Sequence, residues 1–485
     1  MHSGRERVAS YAAALDRRIP VPRGRSSPSS ITPGAPSGVH APDARRRQAL
    51  PVSEKPSRGF AFHVLTSTIA NFAVPLSALA TAPILARALG ASGRGELAAA
   101  TAPLFLLSAV AMLGLPESVT YHSARATGSS RKITGKASIL LGVSGALSFL
   151  GTWLLSPILS DGNANLAALI VVGSSALIPA TILGALRATA AAHHQWSRVN
   201  AEKYITSFLK LVLVAALAIS GTLTVLTAVL VIAFVPVLGY LPYIGRLSKT
   251  TATAVEPVTF KSLLNYGSAI WVGSLSGVVL SRIDQLLIVP LTGSVVQLGF
   301  YAAAVNVGDV ALLANNAVRD VTFTSESKSG SDERLHVSAR MSFMVSLAVG
   351  VALIATIPLW FVWLFGDDFA SAVPVAQLLV AASVAGVPGS VGGAGLSARG
   401  RPGLRSISLI CAAIVNVALL VVLLPILGAL GAAIATLAGN IIAANLNLIF
   451  LRRVFGVKFL PFYSLRPSDA VLLWRLLVRV FRRAS

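Results

Sequence analysis

The chain has 485 residues, of which 54% are hydrophobic and only 12% charged, with a mean hydropathy of +0.75. Soluble domains carry about 25% charged residues, so a water-soluble surface is excluded and a polytopic membrane protein is indicated. The net charge of +22 invites a nucleic-acid partner. However, the basic residues sit at the two ends and between apolar runs, as membrane topology requires, and no nucleic-acid partner is expected.

Residues 1–58 are rich in Pro, Ser, Gly and Arg and show no apolar period. They read as a disordered, basic cytoplasmic arm. No apolar core follows the early charges, so no secretory signal is expected. Twelve apolar runs come next, each near the roughly 20 residues a spanning helix needs. The first six, at 61–86, 96–116, 137–159, 165–187, 204–221 and 224–245, form an N-terminal lobe over 59–250. The second six, at 264–289, 297–318, 338–364, 372–396, 404–426 and 429–451, form a C-terminal lobe over 251–455. Alternating strands of the barrel type are absent, which leaves an all-α bundle as the way to satisfy the backbone in lipid. The breaks carry turn residues, as at SDGN (160–163), GDD (366–368) and GRPG (400–403). The tail, 456–485, contains VLLWRLLVRVFRR, a basic amphipathic stretch suited to the inner membrane surface.

Charge sets the topology. With both termini cytoplasmic, the inner segments hold Arg131, Lys132, Lys136, Arg198, Lys203, Lys261, Arg334, Arg399 and Arg401, among others. Only Arg87, Arg94 and Arg282 of the 40 Lys and Arg residues fall on the outer side. Lys210, two turns inside its run, would snorkel inward. The halves also echo one another: ILARALGASGRGELAAA (84–100) parallels IVPLTGSVVQLGFYAAA (288–304), with Gly95 matching Gly299. Six spans per half would relate the lobes by an axis along the membrane normal.

No metal-site, nucleophile-elbow or phosphate-loop motif is present, and the outer loops are too short for a catalytic domain, so an enzyme is disfavoured. Cys411, alone in an apolar run, allows no intrachain disulfide and reads as a small buried hydrophobe. Charges at membrane depth are costly and usually face a partner or a wet cavity. Arg87 ends the first span and Arg282 the seventh, so both are candidates either for a central cavity or for snorkelling to headgroups. Asp284 would pair with Arg282. In the eighth span Asn306, Asp309 and Asn316 share one helical face. That stripe reads either as a proton- or cation-linked switch or as an interhelical hydrogen-bond network. The small-residue run GVPGSVGGAG (386–395) reads as packing and hinge material.

LARALGASGRGELAAA is similar to the opening motif of bacterial polysaccharide exporters. NYG, SRIDQLLI and LGFYAAA resemble the start of their second half, and FGDDFASAVPVAQLL, SARGRP and LGALGAAIATLAG resemble their later helices. The likeness spans about residues 61–455, and points to the polysaccharide flippase branch of the multidrug/oligosaccharidyl-lipid/polysaccharide exporter superfamily. The resemblance implies two six-helix lobes around a central cavity in the cell membrane. It implies a flippase, turning a glycan on undecaprenyl pyrophosphate from the inner to the outer leaflet by alternating access. Arg87 and Arg282 would then contact the headgroup. No cofactor is implied beyond proton or sodium coupling. Membrane lipids, the lipid-linked glycan and glycan-building glycosyltransferases or a polymerase are the expected partners of a monomer. Two alternatives are an ion-coupled multidrug or small-molecule antiporter of the same superfamily, and a membrane polymerase or ligase.

Overall fold

The computed structural model describes residues 58–125, 130–243, 258–329 and 331–464. The N-terminal arm, the junction between the two halves and the amphipathic tail beyond residue 464 lie outside the described residues, whose elements belong to one compact unit. Those elements are helical, with no strand among them.

The first half comprises α1 (Arg58–Ala111), α2 (Leu115–Arg125), α3 (Ser130–Leu159), α4 (Ala164–Ser174), α5 (Leu177–Ala192), α6 (Trp196–Ile219) and α7 (Val225–Phe234). A 3-10 segment, Val235–Tyr243, extends α7. The second half comprises α8 (Phe260–Thr292), α9 (Val295–Ser329), α10 (Asp332–Phe365), α11 (Val373–Ala398), α12 (Pro402–Leu427) and α13 (Ala429–Phe455). Local chemistry sets the boundaries. Asn163 caps α4 by accepting from Leu166 N at 3.1 Å, and Thr259 does the same for α8 from Ser262 N at 3.1 Å. Thr224 and Thr227 form a reciprocal capping box on α7. Gly293, at φ 64°, ends α8 in the left-handed region where a side chain would be strained.

Among the described residues, ten stretches are long and apolar enough to cross a membrane. Two of the twelve expected spans merge into α1, which breaks at Gly90 (φ 66°, ψ −177°) into two arms. The remaining one is α6, which is 24 residues long but carries Glu202, Lys203 and Lys210. The expected runs are therefore all helical, with runs 61–86 and 96–116 joined in α1 and run 165–187 divided between α4 and α5. Large apolar side chains face outward along these helices, as Ile139, Val143, Leu147, Leu150 and Leu154 do on α3. A soluble protein would not expose such a belt. Cys411 also faces outward on α12, contrary to the burial expected from its apolar run: that run covers the whole helix circumference and does not mark the inward side. In the second half, a Cβ on Gly389 would fall 1.9 Å from Ala444 Cα, so α11 and α13 cross nearly backbone to backbone. Asn447 fastens that crossing by donating to Gly389 O at 3.1 Å.

The molecule has two distinct ends. One, the short-loop end, gathers Gly90 beside Asp368, Asp161 beside Gly293, and Gln297 accepting from Ala429 N at 2.8 Å. The other, the basic end, gathers Lys136 donating to Val258 O at 2.8 Å and Arg399 paired with Asp332 at 2.8 Å.

Candidate functional site

A passage runs between the halves, and one stripe of α1 lines it. Arg94, Ala98, Thr101, Phe105 and Ala109 follow at intervals of three and four, which places them on a single helical face. At 1.5 Å per residue this ladder is about 22 Å long. From the second half, α8 supplies Val278, Ser281, Arg282 and Gln285, and α9 supplies Ala302, Val305, Asn306 and Asp309. Lys210 of α6 completes the polar lining. The resulting cavity has a volume of about 460 Å³.

The lobes meet closely at the short-loop end of this cavity. A Cβ on Gly95 would stand 1.8 Å from Val295 O, and one on Gly299 would stand 2.1 Å from Ala91 O. No side chain fits there, and the two glycines matched in the internal echo touch one another. Toward the basic end the passage widens into a vestibule of about 840 Å³, which shares Ala109 and Val278 with the cavity. Its rim residues Glu117, Arg187 and Trp196 are exposed.

Three of the cations in the chain converge on the inner cavity: Arg94, Lys210 and Arg282, opposed by one carboxylate, Asp309. Arg94 Nε is buried without a hydrogen-bond partner. Neither Lys210 nor Arg282 has an ion-pair partner among the described residues. Asp309 lies within electrostatic reach of Arg282. Guanidinium groups bind carboxylate and phosphate bidentately, so two of them beside a lysine favour an anionic occupant.

Arg282, Asn306 and Asp309 thus line the cavity, whereas two other candidates do not. Arg87 points away: its Nε donates to Leu364 O at 3.0 Å and its Nη2 to Trp363 O. It caps the C-terminal end of α10, where carbonyls lack helical partners and the helix dipole favours a cation. Arg87 and Arg282 also differ in their distance from the glycine that breaks each helix. Arg87 stands just before Gly90, but Arg282 lies three turns before Gly293. Asp284 is buried at 3% exposure inside the second half; it lies within electrostatic reach of Arg282 but forms no ion pair with it. It accepts from Tyr301 OH, from Gln285 N at 2.7 Å and from Thr436 Oγ1 at 3.4 Å. Residues two apart on a helix do not face each other, so Arg282 and Asp284 diverge.

Asn316 is on α9, but its side chain lies outside the described residues. Its neighbour Asn315 forms the interhelical network, donating to Ser390 Oγ at 3.1 Å and accepting from Ser342 Oγ at 3.0 Å. The polar stripe of α9 therefore divides: cavity at Asn306 and Asp309, packing at Asn315. Sequence reasoning missed Arg94 and misassigned Lys210 to the membrane surface. Helical counting from the first span could not have found Arg94, because Gly90 resets the phase. Counting back from the apolar run that begins at Leu97 would have found it.

The profile of the family described as polysaccharide biosynthesis protein matches residues 63–323, more than half of the chain. No curated protein matches the sequence. Among solved structures, the lipid II flippase MurJ in an inward closed conformation aligns over 86% of this chain and 93% of its own, at 13% identity and a TM-score of 0.68. An inward-facing multidrug resistance transporter of the MATE family, in the MOP superfamily, aligns over 81% and 99%, at 15% identity and a TM-score of 0.59. The MATE multidrug transporter DinF-BH, solved as a complex, aligns over 82% and 95%, at 12% identity and a TM-score of 0.60. At these identities the likeness is one of fold.

Proposed function

The chain belongs to the polysaccharide biosynthesis protein family, and we propose that it is a flippase for a lipid-linked oligosaccharide, carried on a polyprenyl pyrophosphate such as undecaprenyl pyrophosphate. The observation that carries this reading is the convergence of Arg94, Lys210 and Arg282 on one cavity of about 460 Å³, with Asp309 the only acid among the described residues on its wall. A headgroup with two phosphates needs cations, water and room, while its prenyl tail stays in the bilayer. The charge pattern supports a reading in which the basic end faces the cytoplasm across the cell membrane. Cargo then enters from the vestibule, its phosphates replace bulk water around the arginines, and the lobes rock to release it on the other side. The cavity is built wholly from one chain, so a monomer suffices. The glycosyltransferases that build the cargo, and the polymerase that consumes it, are the partners in the cell.

Asp309 is the natural coupling group. Ionised, it offsets part of the Arg282 charge and weakens the hold on phosphate; neutralised by a proton or sodium ion, it leaves that charge free for cargo. In a strain lacking the chromosomal copy, Arg94→Ala with Arg282→Ala should abolish surface polysaccharide at equal protein level. Unchanged export would sink the flippase reading. The second reading, an ion-coupled multidrug antiporter, is favoured by the same Asp309 carboxylate. Proton- or sodium-driven efflux of an organic cation from proteoliposomes, lost in Asp309→Asn, would decide for it.

A further inference from the structure

The vestibule differs in chemistry from the cavity it feeds. Its wall carries four aromatic side chains from three helices: Tyr121 of α2, Trp196 of α6, and Tyr266 and Trp271 of α8. Tyr121 and Tyr266 stack on each other across the two halves, with ring centroids 4.3 Å apart and planes at 19°. Trp271 is anchored by its indole N–H, which donates at 3.3 Å to the carbonyl of Ala109, a residue shared by both spaces. Trp196 is 37% exposed at the rim. The one cation on this wall, Arg187, is already engaged: its Nε lies 3.1 Å from both carboxylate oxygens of buried Glu202, which also accepts from Tyr243 OH at 2.6 Å.

A wall of aromatic faces with its cation neutralised is poorly suited to phosphate. It suits a ligand with apolar CH faces and polar edges, which is the shape of a pyranose ring. Aromatic faces offer large apolar area to such CH faces, and the volume of about 840 Å³ falls within the range of ligand pockets, about 300–1,000 Å³. We infer that the vestibule is the sugar-reading subsite: it holds the first glycan units by ring stacking on Trp196 and Tyr266, while Glu117 accepts from hydroxyls at the rim. This rests on the headgroup reading above and adds the direction of loading, with phosphates deep and sugars toward the basic end. The vestibule, not the cation cluster, then selects the glycan.

The test uses full-length protein in nanodiscs and two probes: a polyprenyl pyrophosphate, and the same lipid carrying one N-acetylhexosamine. Wild type should bind the sugar-bearing lipid more tightly. Trp196→Ala and Tyr266→Leu should each weaken that lipid about fivefold, the scale of one lost stacking contact, and leave the sugar-free lipid unchanged. Trp196→Phe should restore most of the loss. Equal weakening of both probes would mean that the vestibule holds tail or phosphate, and would overturn the inference. So would wild-type binding that the sugar does not improve, which leaves the headgroup reading intact. Binding of neither probe would remove both.

Discussion

The two ends of the interface between the halves are joined by different chemistry. At the short-loop end Gly95 meets Gly299 backbone to backbone, and Arg87 grips the last carbonyls of α10. At the basic end Gly114 meets Gly267 as closely, a Cβ on Gly114 falling 2.1 Å from Gly267 O. There, however, stacked Tyr121 and Tyr266 take the place of the charged clasp, and a vestibule stands beside them. Hydrogen bonds weaken steeply off their axis, so the clasp is either made or broken. Stacked rings tolerate offset, so beyond its glycine contact the other end is held less directionally. For the flippase proposed above, the first end would be the one to unlatch and the second the pivot.

The contrast can be broken from either side. The largest effect is expected from Gly95→Ala, whose Cβ meets Val295 O at 1.8 Å. Overpacking of this kind costs about 1–3 kcal/mol and should push the short-loop end apart. Spin labels at Ser92 and Asp367, both exposed, should then report a longer distance in nanodiscs. An unchanged distance and melting temperature would mean that the glycine contact does not hold that end. Arg87→Ala should cost about 1 kcal/mol, in line with a lost cation at a helix C-terminus, and lengthen the same distance less. Arg87→Lys keeps the charge but loses the paired donors, so it should recover only part. Tyr266→Leu removes the ring stack at the other end, for about 0.5–1 kcal/mol, and should leave the Ser92–Asp367 distance alone. If that distance responds, the two ends are one rigid body. The smallest effect belongs to Asp309→Asn. Asp309 faces the cavity and makes no hydrogen bond with a described residue, so melting should move by less than about 0.5 kcal/mol equivalent. A clear destabilisation would make it a structural group after all.

Most of the fold was legible because membrane spans are written in composition: every apolar run is helical, although two of them merge in α1 and run 165–187 divides into α4 and α5, and the turns at Asn163, Thr224 and Gly293 are where their chemistry requires. The cavity face of α9 was legible too, since Asn306 and Asp309 share a helical phase with Ala302 and Val305. What failed were inferences across a break or between close neighbours. Gly90 rotates the second arm of α1 relative to the first, so Arg94, which had no assigned role, lines the cavity expected of Arg87. Arg282 and Asp284, two residues apart, point to different places because a helix turns 100° per residue. Burial of Asp284 depends on Tyr301 and Thr436, the latter more than a hundred positions away, and no local pattern announces it.

The stripe on α1 has one more consequence. Arg94 and Ala109 line the same passage only because the number of residues between them keeps them in phase. Adding or removing a single residue there would turn everything on one side of the change by about 100°, carrying the arginine out of the cavity or the vestibule wall out of register. This arm can diversify by exchanging side chains, and so accept new cargo, but it cannot change length. Directed evolution of cargo choice should therefore search substitutions along this rail and leave insertions to the loops.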